Sequence, residues 1–125
     1  PLRDDHPDFP ALVLGNYLLG GSSSGRLPGR VREKEGLSYS TYSWFSANPL
    51  DQVAEFQVSA IFAPQNKERV ERAVREELSR ALHGGFTEAE VASAKRGLLQ
   101  ERRLARTRDE ALNARLANYL FLGRN

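Results

Sequence analysis

Two side chains in this 125-residue sequence, Arg32 and Tyr39, carry strong hydrogen-bond donors, a guanidinium and a phenol, seven residues apart. Gly36 lies between them and reads as the left-handed stop of a short helix. The turn it makes into a strand brings both donors to one mouth. Ahead of them runs a loop of Gly20, Gly21, Ser22, Ser23, Ser24 and Gly25. Its glycines permit positive φ and close approach to another chain, and its serines offer hydroxyls that cap a helix or bind backbone. Such a loop entering a helix is also a cradle for an anion such as phosphate. Ser24-Gly25-Arg26-Leu27 lacks, however, the Gly-Lys-Ser/Thr ending of a nucleotide-binding loop.

Leu27 and Val31 are the apolar anchors of the short helix, and Arg26, Arg30, Arg32 and Lys34 point elsewhere. Two accounts of these cations stand side by side. In one they are solvated or paired locally with Glu33 and Glu35; in the other Arg32, in the last turn before the strand, faces a binding cleft. Other chemistries have less support. There is no Cys and there are only two His, which removes thiolate nucleophiles, disulfides and Cys-zinc sites. His6 stands alone before a helix as a surface residue. His83 falls in the last turn of another, where the helix dipole favours it. No Ser-His-Asp pattern shows local activation. The chain is therefore expected to hold no metal and no cofactor of its own.

The elements that must position Arg32 and Tyr39 follow from periodicity. Asp8 caps a helix with Pro10 in its first turn and Phe9, Leu12, Val13 and Tyr17 on one face, ended by Gly20-Gly21. Alternation predicts paired antiparallel strands over 37–45 and 52–62, joined by Ala47-Asn48-Pro49-Leu50-Asp51. Ala54, Phe56, Val58, Ala60 and Phe62 share the covered face. Trp44 and Tyr42 are read as core or cross-strand packing rather than as a ligand platform. Pro64 closes the second strand, and Asn66 caps a helix with Val70, Ala73, Val74, Leu78, Ala81 and Leu82 inward and Gly84-Gly85 at its end. Phe86 to Val91 holds both a Thr87-x-x-Glu90 capping box and a Phe86–Val91 staple. The following helix runs to about Arg106, with Gly97 in its middle allowing close packing. Thr107 to Glu110 repeats the capping-box pattern before a last helix that buries Leu112, Leu116, Tyr119 and Leu120 and stops at Gly123. The fold class is α+β, an antiparallel sheet packed against helices. Two strands make a marginal sheet, so partner strands from elsewhere are expected at its edges.

The formal charge is +2, with 5 basic and 7 acidic side chains in residues 1–65 and 13 and 9 in residues 66–125. The charges of the second half alternate in sign along helices, as on solvated faces, so no nucleic-acid partner is expected. No apolar run reaches the roughly 18 residues of a membrane span, and the start has no signal-peptide order. A chain that begins with Pro and has no Met reads as an excised piece, a single partial domain over 1–125.

Gly20, Gly21, Arg26, Leu27, Arg32, Glu33, Lys34, Gly36, Leu37, Tyr39 and Ser40 form an ordered run that resembles the C-terminal-type, non-zinc half of the pitrilysin or insulinase family of zinc peptidases, which includes the mitochondrial processing peptidases. Pro28-Gly29 departs from the bulkier residues of that pattern. The resemblance implies two similar α+β halves closing over an extended peptide. Arg32 and Tyr39 would reach the substrate at the reaction centre, and zinc would be held by the partner half, in the same polypeptide or in a separate subunit. The family's catalytic half carries His-x-x-Glu-His with a further Glu, and this chain has no such motif, so alone it is expected to be inactive. The implied function is substrate clamping. The alternative is a non-catalytic pseudo-peptidase subunit acting in assembly or peptide binding; among partners, a second copy of the chain in a homo-oligomer stands beside the zinc-bearing half and the peptide.

Overall fold

The computed structural model describes residues 1–124. The chain begins with α1, Phe9–Asn16, which widens without a break into a π-helical turn over Tyr17–Gly21. A second π-helix, Pro28–Lys34, follows the serine loop and precedes strands β1, Ser40–Ala47, and β2, Ala54–Ile61. A 3₁₀ turn, Pro64–Asn66, leads into α2, Lys67–Gly84, then α3, Glu88–Arg106, and α4, Asp109–Phe121. This is the α+β arrangement expected from the alternation and helical periods.

The hairpin is antiparallel, with Thr41 opposite Ala60, Ser43 opposite Val58 and Phe45 opposite Phe56. Both strands are shorter than expected. Leu37 is drawn into the core, so the ladder starts at Ser40, although the Tyr39 amide already donates to the Ile61 carbonyl at 2.8 Å. At the other end the Asn48 side-chain oxygen accepts the Leu50 and Asp51 amides at 2.8 and 2.9 Å, a local turn that takes residues 52 and 53 out of the strand.

Thr41, Ser43 and Phe45 face inward, where α1 and its π-helical turn lie against β1. Phe9 meets Phe45 with ring centroids 5.8 Å apart, and Ser43 donates to the Asn16 side-chain oxygen at 2.8 Å. Beyond that end of the sheet, Val31, Leu37, Val70 and Ala73 form the core cluster, joined by Ala60, Phe62 and Val74. The even face of β2 is covered only toward this cluster, and Ala54 and Phe56 are exposed. Tyr42 and Trp44 point to the open face and stack on one another, 6.2 Å apart and 18° from parallel. They are therefore neighbours on a bare face rather than core residues.

Three expected caps are absent. Asp8, Asn66 and Thr107 sit in the right-handed helical region, where a side chain cannot fold back on the first amides of a helix. The Asp8 amide donates to His6 Nδ1, Asn66 Nδ2 donates to the Leu37 carbonyl, and Thr107 donates to the Leu104 carbonyl. The Thr87–Glu90 box is complete in both directions. At Gly97 an added Cβ would lie 2.5 Å from the Tyr17 hydroxyl, so the glycine does allow the helices to approach. The last helix buries none of its residues: Leu112, Leu116 and Leu120 are exposed and Tyr119 is only half-buried.

Candidate functional site

The second π-helix is short, yet Leu27 and Val31 are fully buried beneath it and fix which way its cations point. Its wide turn is seen in the Glu35 amide donating to the Arg30 carbonyl at 3.0 Å, five residues back. The Leu37 amide then reaches the Val31 carbonyl at 2.8 Å, and Gly36, at φ 60°, supplies the left-handed residue that this closure needs.

Arg26 and Arg30 are occupied. Arg26 donates to both Glu90 oxygens at 2.8 Å and to the Gly85 carbonyl at 3.0 Å, with its guanidinium 4.5 Å from the Phe86 ring centroid. That fork, together with the Thr87 amide, holds the Glu90 carboxyl down at about 2. Arg30 donates to Glu35 at 2.9 Å, to Glu77 at 3.2 Å and to Glu76, and these carboxylates raise its pKa further. Arg32 is not consumed in this way: its side chain is 57% exposed, and the nearest carboxylate oxygen, on the equally open Glu33, is 3.8 Å away. Tyr39 is 76% exposed.

Arg32 shares a recess of about 190 Å³ with Gly20, Gly21, Ser22, Ser23, Pro28, Ser40, Thr41 and Tyr42. Tyr39 stands next to this recess in sequence but does not line it. The rest of the predicted loop faces elsewhere. Ser24, whose hydroxyl lies 3.1 Å from that of Ser22, lines a crevice toward α3 with Arg26 and Glu90, and Gly25 is buried. None of Gly20, Gly21 and Gly25 has positive φ; what they permit is contact within the chain. A Cβ at Gly20 would lie 2.8 Å from the Ser43 amide nitrogen, and one at Gly25 would lie 2.8 Å from the Leu19 carbonyl oxygen.

Sequence reasoning overlooked Glu77 as Arg30's partner. The signal was present: Glu77 is four residues after Ala73 and seven after Val70, a carboxylate on the apolar stripe of α2. Such a residue needs a partner, and its side chain is 6% exposed and also accepts from Arg80 at 3.0 Å. For metal the donors do not fit. His6 and His83 are the only imidazoles, and no group of three His, Cys, Asp or Glu able to hold an ion occurs among the described residues.

Comparison with known proteins shows the family and the fold. Residues 1–98 match the family model described as the peptidase M16 inactive domain. A relative named an uncharacterized zinc protease, from Streptomyces coelicolor, is 38% identical over 84 residues, 67% of this chain and 18% of its own length. The non-peptidase homolog YmxG of Helicobacter pylori is 30% identical over 98% of this chain and 28% of its own. The chain thus spans less than a third of either relative. Among solved structures, the peptidase M16 inactive domain from Pseudomonas fluorescens superposes with a TM-score of 0.73 at 33% identity, covering 82% of this chain and 24% of that one. A protease from Helicobacter pylori gives a TM-score of 0.84 over 98% of this chain and 29% of that one, and at 20% identity it speaks for the fold alone. No helix among the described residues is long and apolar enough to cross a membrane. With residues 1–98 of its 125 matched, the chain belongs to the peptidase M16 inactive-domain family.

Proposed function

We propose that this domain clamps an extended peptide for hydrolysis by a zinc-bearing peptidase half, carried on the same polypeptide or on a separate subunit, and that Arg32 and Tyr39 are its donors to the substrate. One observation carries this reading. Of the three arginines Arg26, Arg30 and Arg32, the first two are spent on carboxylates, whereas Arg32 and, just beyond the left-handed turn, Tyr39 are left open. Fixed donors that need no rearrangement are what a developing oxyanion requires. The contribution of this chain's own residues is binding and orientation; the metal chemistry would reside in the partner half.

The test is steady-state kinetics on the full-length protein with its zinc-bearing half, beside thermal melts of each variant. Arg32→Ala and Tyr39→Phe should each lower kcat/KM by about 10²-fold, the usual loss of one oxyanion donor, with melting unchanged. Arg32→Lys should restore little, because an ammonium lacks the guanidinium fork. Unchanged turnover, or a loss that follows unfolding, rejects the assignment. A second reading, a pseudo-peptidase subunit that binds peptide without cleaving it, takes support from the relative named a non-peptidase homolog. It predicts no turnover in the intact protein, with peptide affinity that still falls in Arg32→Ala.

A further inference from the structure

Resting on that reading, we propose that Arg30 is the positioning residue that sets the spacing of Arg32 and Tyr39. The two donors are separated by residues 33–38: Lys34 ends the π-helix, Ser40 begins β1, and the connector 35–39 lies outside both elements. Arg30 is two residues from Arg32 but points the other way, with its side chain 17% exposed. Its guanidinium bridges Glu35, the residue just before the left-handed Gly36, to Glu76 and Glu77 on α2. One planar group thus ties the connector both to its own helix and to the longest element it touches. A planar fork with five donors can hold three carboxylates at once, which a point-charge ammonium cannot do in the same geometry.

The far side of the connector has its own tie. Asn66 Nδ2 donates to the Leu37 carbonyl at 3.2 Å, and Leu37 is buried in the core. The Arg30 bridge and the Asn66 bond both end on the α2 side of the domain, on either side of Gly36. With Gly36 held between them, the backbone that carries Arg32 and Tyr39 keeps one course through the turn. Without the Arg30 bridge the backbone bonds from the Glu35, Gly36 and Leu37 amides to the helix carbonyls remain, but the helix side of the connector loses its side-chain tie to α2, and the exposed Arg32–Glu33 approach at 3.8 Å restrains little. Arg30 therefore acts through Arg32 and Tyr39 and does not itself touch substrate.

The experiment uses the full-length protein with its zinc-bearing half and four variants: Arg30→Lys, Glu76→Gln, Arg32→Ala and the Arg30→Lys/Arg32→Ala double. Glu76 is exposed, so Glu76→Gln cuts one tie without burying an unpaired charge. Hydrogen exchange of segments covering residues 31–39 is followed beside kcat and KM. The expected result is faster exchange, by about tenfold or more, confined to residues 31–39 in Arg30→Lys and to a lesser degree in Glu76→Gln, with the remaining amides unchanged. kcat/KM falls in Arg30→Lys, and the double variant loses less than the two single losses combined, because residues acting as one unit are not additive. Exchange in this segment that matches the wild type, or losses that add fully in the double variant, overturns the positioning role. Arg32→Ala with wild-type kinetics rejects the substrate reading instead, and the exchange result then decides separately whether Arg30 holds the connector.

Discussion

Glu90 is the residue at which most local interactions of the loop end meet. Its carboxylate accepts the Arg26 fork and the Thr87 amide, and its pKa is lowered to about 2 from 4.5. Asp4 is lowered in the same direction by Arg124, which donates to both its oxygens at 2.6 and 2.8 Å and so joins the two ends of the chain. A depressed carboxylate contributes stability above its unfolded pKa and loses it as pH falls toward the folded one. The contribution of Glu90 should therefore be complete above about pH 5 and disappear between about pH 4.5 and 2. In denaturant melts, Glu90→Gln should be less stable than wild type near pH 7, and the two should converge near pH 2. A gap that is the same at both pH values would mean that packing rather than charge is what the substitution removes.

At the scale of elements, two Thr-x-x-Glu sequences precede two helices and only one forms a box. Thr87 is extended, at φ −71° and ψ 157°, so its hydroxyl reaches the Glu90 amide. Thr107, at φ −80° and ψ −8°, still belongs to the closing turn of α3, and its hydroxyl bonds backward. Thr87→Ala should therefore cost about 1 kcal/mol of stability, the ordinary price of a lost cap, while Thr107→Ala should stay within about 0.5 kcal/mol. Equal losses in equilibrium denaturation would contradict the difference. The same scale explains the two π-helical segments. Each ends against a close backbone approach or a left-handed glycine, and the extra residue per turn re-aims the chain there.

For the whole molecule, the sheet has one face partly covered and one bare, and α4 leaves Leu116, Leu120 and Phe121 in the open. Apolar stripes without a partner are faces made for burial against further structure, which is consistent with a chain that spans 18% and 28% of its two relatives. The donor inventory bears on metal at this scale as well. With one imidazole ahead of α1, the other at the end of α2, and no group of three His, Cys, Asp or Glu able to hold an ion among the described residues, there is no tetrahedral set for zinc there. Metal analysis of the purified chain should find well below one zinc per molecule; about one, retained through dialysis, would contradict this.

What the sequence by itself determined were the features written in local chemistry. The left-handed Gly36 ends the basic helix, Gly85 and Gly123 take positive φ where helices stop, the Thr87 box starts α3, and the strand alternation places Thr41, Ser43 and Phe45 on one face. Each depends on residues a few positions apart, where backbone preference and side-chain reach act within one turn or one pleat. The turning glycine between Arg32 and Tyr39 was legible in the same way, but that Arg32 lines a recess with Gly20, Ser22 and Tyr42 which Tyr39 does not share was not. Only the tertiary structure decided which cations were free, because Arg26 finds Glu90 64 residues away and Arg30 finds Glu77 47 residues away. It also decided which apolar stripes were covered. Periodicity shows that a helix has an apolar face but not whether that face is covered, and in α4 no residue is buried.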